Sequence, residues 1–238
     1  MMLDAMSIKQ QVEFDSRKQV STGFVDLGGG SQTDEEAKEV LVIMLVGLRG
    51  HWKSPIAYYF TKGLQAEVQK QLVHHCMEKV QEMGFKIHVL TMDGHASNIG
   101  MVKLFGANMS LTEPDFNPSF HLPNADHPTF VMLDACHMLK LVRNTLEACG
   151  TICAPDGPVV WQLIRDLQQT QEQIGLRLGN KLTPNHVSFH QQKMKVSLAV
   201  QALSASVAAA LETLKSLNIR KFSYAGPTIN FIKVLYWK

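Results

Sequence analysis

The chain has 238 residues, 45% of them hydrophobic and 18% charged, and 23 basic against 21 acidic side chains leave a formal charge of +2. That apolar fraction supports the packed core of one or two domains and excludes disorder as the dominant state, which needs low hydrophobicity with high net charge. The near balance of charge lends nucleic-acid binding no compositional support, so a basic surface has to be a local cluster. The longest apolar run, Val40 to Val46, falls far short of the roughly 20 residues of a membrane-spanning helix, and Asp4 and Lys9 interrupt any signal-peptide core. Cys76, Cys136, Cys149 and Cys153 are too sparse for a disulfide framework and point to a reducing compartment.

In chain order, Leu3 to Phe14 holds strand-like stretches and Ser21 to Leu27 a second strand, before a turn at Gly28, Gly29 and Gly30; Thr33 to Glu39 reads as a polar loop. The β-branched and aliphatic run Val40–Val46 predicts a strand buried on both faces. After Ser54-Pro55, Ile56 to Phe60 reads as an edge strand. Apolar residues at Leu64, Val68, Leu72, Cys76, Val80 and Met83 make one helical stripe that Gly84 ends. Lys86 to Met92 is a strand running into Asp93-Gly94, followed by a helix from His95 to Phe105, a proline-punctuated loop from Phe116 to Pro128, a strand from Thr129 to Leu133 and a helix from Ala135 to Ala148. Antiparallel strands followed by alternating units predict a mixed α/β sheet with flanking helices. Past Gly150 the pattern reads as all-α, with helices at Gly157–Ile174 and His186–Leu217 and a heptad-like stripe from Val196 through Leu203 to Leu217. The predicted domains are therefore 1–149 and 150–238.

Two carboxylates draw attention. Asp4 lies on the first strand and Asp93 at the end of a later one, where open α/β sheets bind ligands. On neighbouring strands such a pair can share a divalent cation, since Mg²⁺ often takes one or two carboxylates beside a substrate phosphate. The plainer alternative is that Asp93-Gly94 is a turn and Asp4 an exposed acid. On the helix after Asp134, residues His137, Lys140 and Arg143 or Asn144 follow one another at helical spacing, a stripe suited to phosphates or simply a solvated face.

Four blocks occur in one order: Leu3-Asp4-Ala5-Met6-Ser7-Ile8, Thr91-Met92-Asp93-Gly94 with Asn98-Ile99, Asp134 through Asn144, and Met194-Lys195-Val196 through Ser206-Val207. Together they resemble the P element transposase family, including its THAP-domain-containing vertebrate relatives, across essentially the whole chain. The resemblance implies an RNase H-like mixed sheet with flanking helices, interrupted by a mostly α-helical GTP-binding insertion domain. It implies two-metal DNA cleavage and strand transfer with Mg²⁺ or Mn²⁺ held by three acids. Asp4 matches the first acid and Asp93 the second; Asp134 and His137 match a supporting motif; Lys140 and Arg143 become phosphate or DNA contacts. Lys181, Lys195, Val196 and Ser204 become candidate GTP contacts. DNA and GTP are the implied partners and the nucleus the implied location; a homo-oligomer is compatible with it, and no membrane is expected.

The third acid of the family, a Glu after the insertion domain, has no assignable counterpart, because Thr228 to Lys238 still reads as insertion domain. The zinc-binding N-terminal domain of the family has none either. The expectation is a fragment or decayed copy with strand transfer disabled. On one continuous helix Lys195 and Ser204 stand about 180° apart, so they meet one ligand only if the helix starts after Lys195 or the nucleotide sits at a helix junction. Gly47-Leu-Arg-Gly50-His-Trp-Lys53-Ser54 superficially resembles a phosphate loop but has the wrong spacing. A proofreading-type exonuclease would carry a Glu where Met6 stands. A zinc site from Cys149, Cys153, His186 and His190 is opposed by Gly150 and by the long gap between the pairs. The rival of another class is a non-catalytic DNA- or GTP-binding assembly module.

Overall fold

A computed structural model of the chain describes residues 1–17, 19–29, 33–112, 114–123 and 125–236. Gly30 of the expected glycine turn, Asn124 of the expected proline-punctuated loop, and Trp237 and Lys238 of the expected C-terminal segment lie outside the described residues. The chain divides into two compact units, Met1–Asp134 and Ala135–Lys238.

The first unit is built on a six-stranded sheet in the order β5-β4-β1-β6-β8-β7. Its strands are β1 (Met2–Ser7), β4 (Glu39–Val46), β5 (Lys53–Thr61), β6 (Val89–Met92), β7 (Ser119–His121) and β8 (Pro128–Leu133), with a separate hairpin of β2 (Glu13–Asp15) and β3 (Val20–Thr22). β1 pairs antiparallel with β4 but parallel with β6, and β6 is parallel with β8, so the expected mixed sheet is present. The parallel pairs require helical crossovers, supplied by α1 (Ala66–Glu82) and α2 (Ala96–Phe105). Those helices bury Val73, Met77, Val80, Met101 and Val102 against Leu3, Leu41, Ile43, Leu90 and Met92 of the strands.

Several elements depart from expectation. β4 alternates, with only Leu41 and Ile43 buried, so it is covered on one face rather than two. The run of apolar residues hides that alternation because both faces carry aliphatic side chains. β5 begins earlier than expected, and Pro55 sits at a register shift opposite Met44, where the missing N–H costs no ladder bond. The buried stripe of α1 is Gln69, Val73, Cys76, Met77 and Val80, while Met83 is 74% exposed. The stripe is thus rotated by about one residue from Leu64-Val68-Leu72, and a buried glutamine belongs to it. Gly84, at φ +83°, does end this helix, in a conformation that a side chain would resist. β7 forms inside the segment expected to be loop.

In the second unit the boundary lies earlier than the expected 149/150. Helix α3 (Ala135–Cys149) belongs to this unit, and its Leu146 is part of the unit's core. The expectation of no strand after Gly150 is corrected by a hairpin of β9 (Thr151–Ala154) and β10 (Gly157–Val160), closed by Pro155-Asp156. Pro-Asp-Gly between short apolar runs is a turn signal with a mechanism, and it outweighs the absence of a long strand pattern. Helix α4 consequently starts at Gln162 and runs to Ile174.

The expected single helix from His186 to Leu217 is broken into α5 (Pro184–Val187), a 3₁₀ turn at His190–Gln192, α6 (Val196–Ala202) and α7 (Ala205–Ser216). Ser204 adopts an extended backbone (φ −92°, ψ 157°) and accepts the Val207 N–H on its hydroxyl, which starts a new helix where the stripe appeared continuous. A last helix, α8 (Gly226–Leu235), follows, and Thr228 Oγ1 accepts the Val160 N–H at 2.9 Å. The stretch Val196–Ser216 is long and apolar enough by composition to cross a membrane. It is nevertheless interrupted at Leu203–Ser204, and Leu198, Ala199, Leu203, Val207 and Leu211 are buried in the chain itself.

Candidate functional site

The first unit carries a cleft of about 410 Å³ between the covered face of the sheet and the N-terminal turns of α1 and α2. Leu3, Ala5 and Leu41 floor it, and its polar lining includes Glu39, Gln65, Gln69, Asp93, His95 and Asn98. β1 and β6 set the level of the two candidate carboxylates. Met2 pairs with Thr91, and Asp4 and Asp93 each lie two residues further on. Parallel strands advance together, so the two acids occupy the same level at the C-terminal end of β6.

Their surroundings differ. Asp4 is exposed on the face opposite Leu3, at the register of Val42 and Tyr58, and does not line the cleft. Asp93 is half-buried just past β6. Its Oδ1 accepts the His95 N–H at 3.0 Å and the Asn98 Nδ2–H at 2.6 Å. Asn98 is buried, and its Oδ1 accepts a hydrogen bond from the Nε2 of Gln69, also buried. The cation expected from the sequence would need hard oxygen donors; the register puts the two carboxylates at one level along the strands, Asp93 lining the cleft and Asp4 outside it. Among the described residues no group of three His, Cys, Asp or Glu side chains could hold a metal ion. The zinc alternative is further undercut by His186, whose ring nitrogens already engage Thr183 and Gln201.

Asp134 follows β8 directly, its N–H donating to the Met92 carbonyl at 2.7 Å, and His137 and Lys140 are half-buried on α3. Arg143 corrects the sequence reading. Expected on a phosphate-binding stripe, it is fully buried. Its Nε donates to Asn144 Oδ1 at 3.0 Å, its Nη2 to the Lys193 carbonyl at 2.6 Å, and its guanidinium lies 3.8 Å from the Phe189 ring centroid. Burial lowers its pKa from the ordinary value and the charge of Glu147 opposes that shift. Helical spacing alone could not separate the two readings, because Arg143 shares its face with Leu139 and Leu146 as readily as with Lys140. The aromatic partner is 46 residues away in sequence, beyond the reach of any local pattern.

The four nucleotide candidates sit around α5, α6 and α7. Lys181 and Lys195 are exposed, while Val196 and Ser204 are half-buried. Lys195 is the N-cap of α6 and Ser204 the N-cap of α7, so the helix does start after Lys195 and does break before Ser204. The two residues therefore flank α6, about 10 Å long. Thr183, His186 and Gln201 link the strand of chain after Lys181 to α6: His186 Nδ1 accepts the Thr183 N–H at 3.1 Å, and its Nε2 meets Gln201 Oε1 at 2.7 Å. Ser204 Oγ in turn donates to the Gln201 carbonyl at 2.9 Å. The segment that superficially resembles a phosphate loop, Gly47 to Ser54, joins antiparallel strands and opens no helix. There Gly47 packs so closely on the Trp52 ring that a Cβ would overlap it.

Comparison with known proteins bears on both units. Residues 1–106 match the family described as "TNP-like, RNase H N-terminal domain", and residues 136–236 match "TNP-like, GTP-binding insertion domain". The human protein "DNA transposase THAP9" is 29% identical over 241 residues, covering 99% of this chain and 26% of the relative. A chain of the Drosophila P element transposase strand transfer complex superimposes with a TM-score of 0.78 at 21% identity, covering 98% of this chain and 48% of that one. The second likeness is one of fold. The chain thus spans about a quarter of the human relative and about half of the solved chain. With the mixed sheet order and two family matches in succession, the chain belongs to the P element-like transposase family.

Proposed function

We propose that this chain serves a DNA transposase as part of its RNase H-like catalytic domain together with its GTP-binding insertion domain. The observation that carries the reading is the register Met2–Thr91, which supports Asp4 and Asp93 as two carboxylates at one level, one on β1 and one just past the parallel β6. They would hold Mg²⁺ or Mn²⁺, which stabilises the charge developing on the oxygens of a phosphoryl displacement. The chain's own residues prepare that task. The Asp93 Oδ1 is occupied by two donors, which leaves its other oxygen for a ligand, and Asp4 stands exposed on β1. Lys140 remains the candidate phosphate contact on α3, with Asp134 and His137 beside it in a supporting role; Arg143 is a packing residue.

In the second unit Lys181, Lys195, Val196 and Ser204 would contact GTP. A nucleotide lying along α6 could reach both Lys195 and Ser204, which a phosphate group alone could not. DNA is the expected substrate and the nucleus the expected location. Two measurements test the reading. Asp93→Asn should weaken Mn²⁺ binding, and an unchanged affinity sinks the cation site. Saturating GTP should raise the melting temperature of the second unit by ligand linkage, and no shift removes the nucleotide from this chain.

A further inference from the structure

We infer that Asn98 and Gln69 are positioning residues that fix the Asp93 carboxylate for a divalent cation; this rests on the cation site proposed above. The inference begins with what each group can donate. An ionised carboxylate only accepts, so Asn98 must turn its NH₂ towards Asp93. Its carbonyl oxygen then faces Gln69, and Gln69 must turn its own NH₂ towards Asn98. The observed contacts have that polarity at both links. The direction of the whole relay is thus set by the charge at one end.

Geometry makes the relay rigid. Asn98 is 8% exposed and Gln69 3%, so neither amide can exchange its partner for bulk water at no cost. Gln69 stands in the first turn of α1 and Asn98 in the first turn of α2, and both line the cleft that Asp93 also lines. Asp93 itself is anchored twice through one oxygen, by the His95 N–H and by Asn98. Among the described residues its Oδ2 has no hydrogen-bond partner. One oxygen is held and the other is left for a ligand, which is the arrangement by which outer partners orient a metal-binding carboxylate. Sequence reading passed over Gln69 because a glutamine on the buried side of a helix looks like a break in an apolar stripe.

A purely structural amide pair that locks α1 to α2 would also be buried, so the test must separate the two roles. Mn²⁺ affinity is measured on the full chain by electron paramagnetic resonance, beside the melting temperature, for Asn98→Leu, Gln69→Leu and Gln69→Glu. Asn98→Leu removes the donor to Asp93 and should weaken Mn²⁺ by about 10-fold. Gln69→Glu is the discriminating variant. Its carboxylate can only accept, so it draws the Asn98 NH₂ away and leaves the Asn98 carbonyl against Asp93. Affinity should fall further than for Gln69→Leu, which merely removes the anchor, although neither side chain touches Asp93. Equal Mn²⁺ affinities for the two Gln69 variants, or an unchanged affinity for Asn98→Leu while Asp93→Asn loses binding, would overturn the positioning role and leave the cation site standing. Absence of Mn²⁺ binding by the unaltered chain would overturn the cation site and the positioning role with it.

Discussion

The two units enclose their apolar residues in different ways. In the first, a sheet is covered by helices on one face, and its other face presents Met6, Tyr58, Phe130 and Met132 at 51–67% exposure. In the second, helices and a hairpin surround Trp161, Phe189, Leu203, Val207, Leu211 and Phe222, all nearly inaccessible to solvent. The difference teaches where function can be carried at little cost to folding. Asp4 stands on the open face of the sheet, where an ionised group needs no partner, and the strand's other side anchors it through Leu3. The second unit instead buries a charge, Arg143, against an aromatic face, a backbone carbonyl and a neighbouring amide, with its Nη1 left without a hydrogen-bond partner among the described residues.

The sharpest contrast is between two phenylalanines. Phe189 is 1% exposed, lies under the Arg143 guanidinium and meets Trp161 edge to face, whereas Phe130 on β8 is 51% exposed. Phe189→Ala should cost the second unit about 3–5 kcal/mol, and Phe130→Ala under about 1 kcal/mol, read from hydrogen exchange that resolves the units separately. Comparable losses at both positions would remove the contrast. Next in size is Arg143→Met, which keeps most of the volume but leaves the Lys193 carbonyl without its donor. It should destabilise the second unit by about 1–3 kcal/mol, with the 189–193 segment exchanging first. A weakening of DNA binding with no loss of stability would restore Arg143 as a phosphate contact.

A smaller effect probes the covered face of the first unit. The Cys76 thiol is buried, its Sγ 3.3 Å from Tyr59 Oη, and burial raises its pKa with the Tyr59 hydrogen bond acting against that. A raised thiol pKa means that this face contributes its full stability below the ordinary value of about 8.5 and loses it as pH climbs past the folded value. At pH 8 a thiol reagent should therefore modify the exposed Cys136, Cys149 and Cys153 rapidly and Cys76 only on unfolding. Rapid modification of all four would mean that α1 does not close over the sheet.

How much of this was legible depended on whether the cause was local. Most of the strands and helices up to Cys149 followed from periodicity, β7 excepted, and so did the places of Asp4 on the first strand and Asp93 at the end of a later one, but their common level came only from the register Met2–Thr91. The one-sided burial of β4 was hidden because aliphatic residues occupy both of its faces. The hairpin after Gly150 was signalled by Pro155-Asp156-Gly157, but its strands are only four residues each, too short to show alternation. The break at Ser204 was masked by a stripe that continues across it, since Leu203 and Val207 remain buried on either side. Arg143 and Gln69 could not be read at all. Their partners, Phe189 and Asn98, come from distant segments, and only the fold shows what a charged or polar side chain meets there.

The central claim is that Asp4 and Asp93 share a divalent cation in the first unit while the second unit does not. Mn²⁺ added to isotopically labelled protein tests it most directly, because the ion broadens the amide signals close to it. Selective broadening should centre on residues 3–5 and 91–98, weaken in both Asp4→Asn and Asp93→Asn, and spare the second unit. Broadening centred elsewhere, or unchanged by both substitutions, would contradict it.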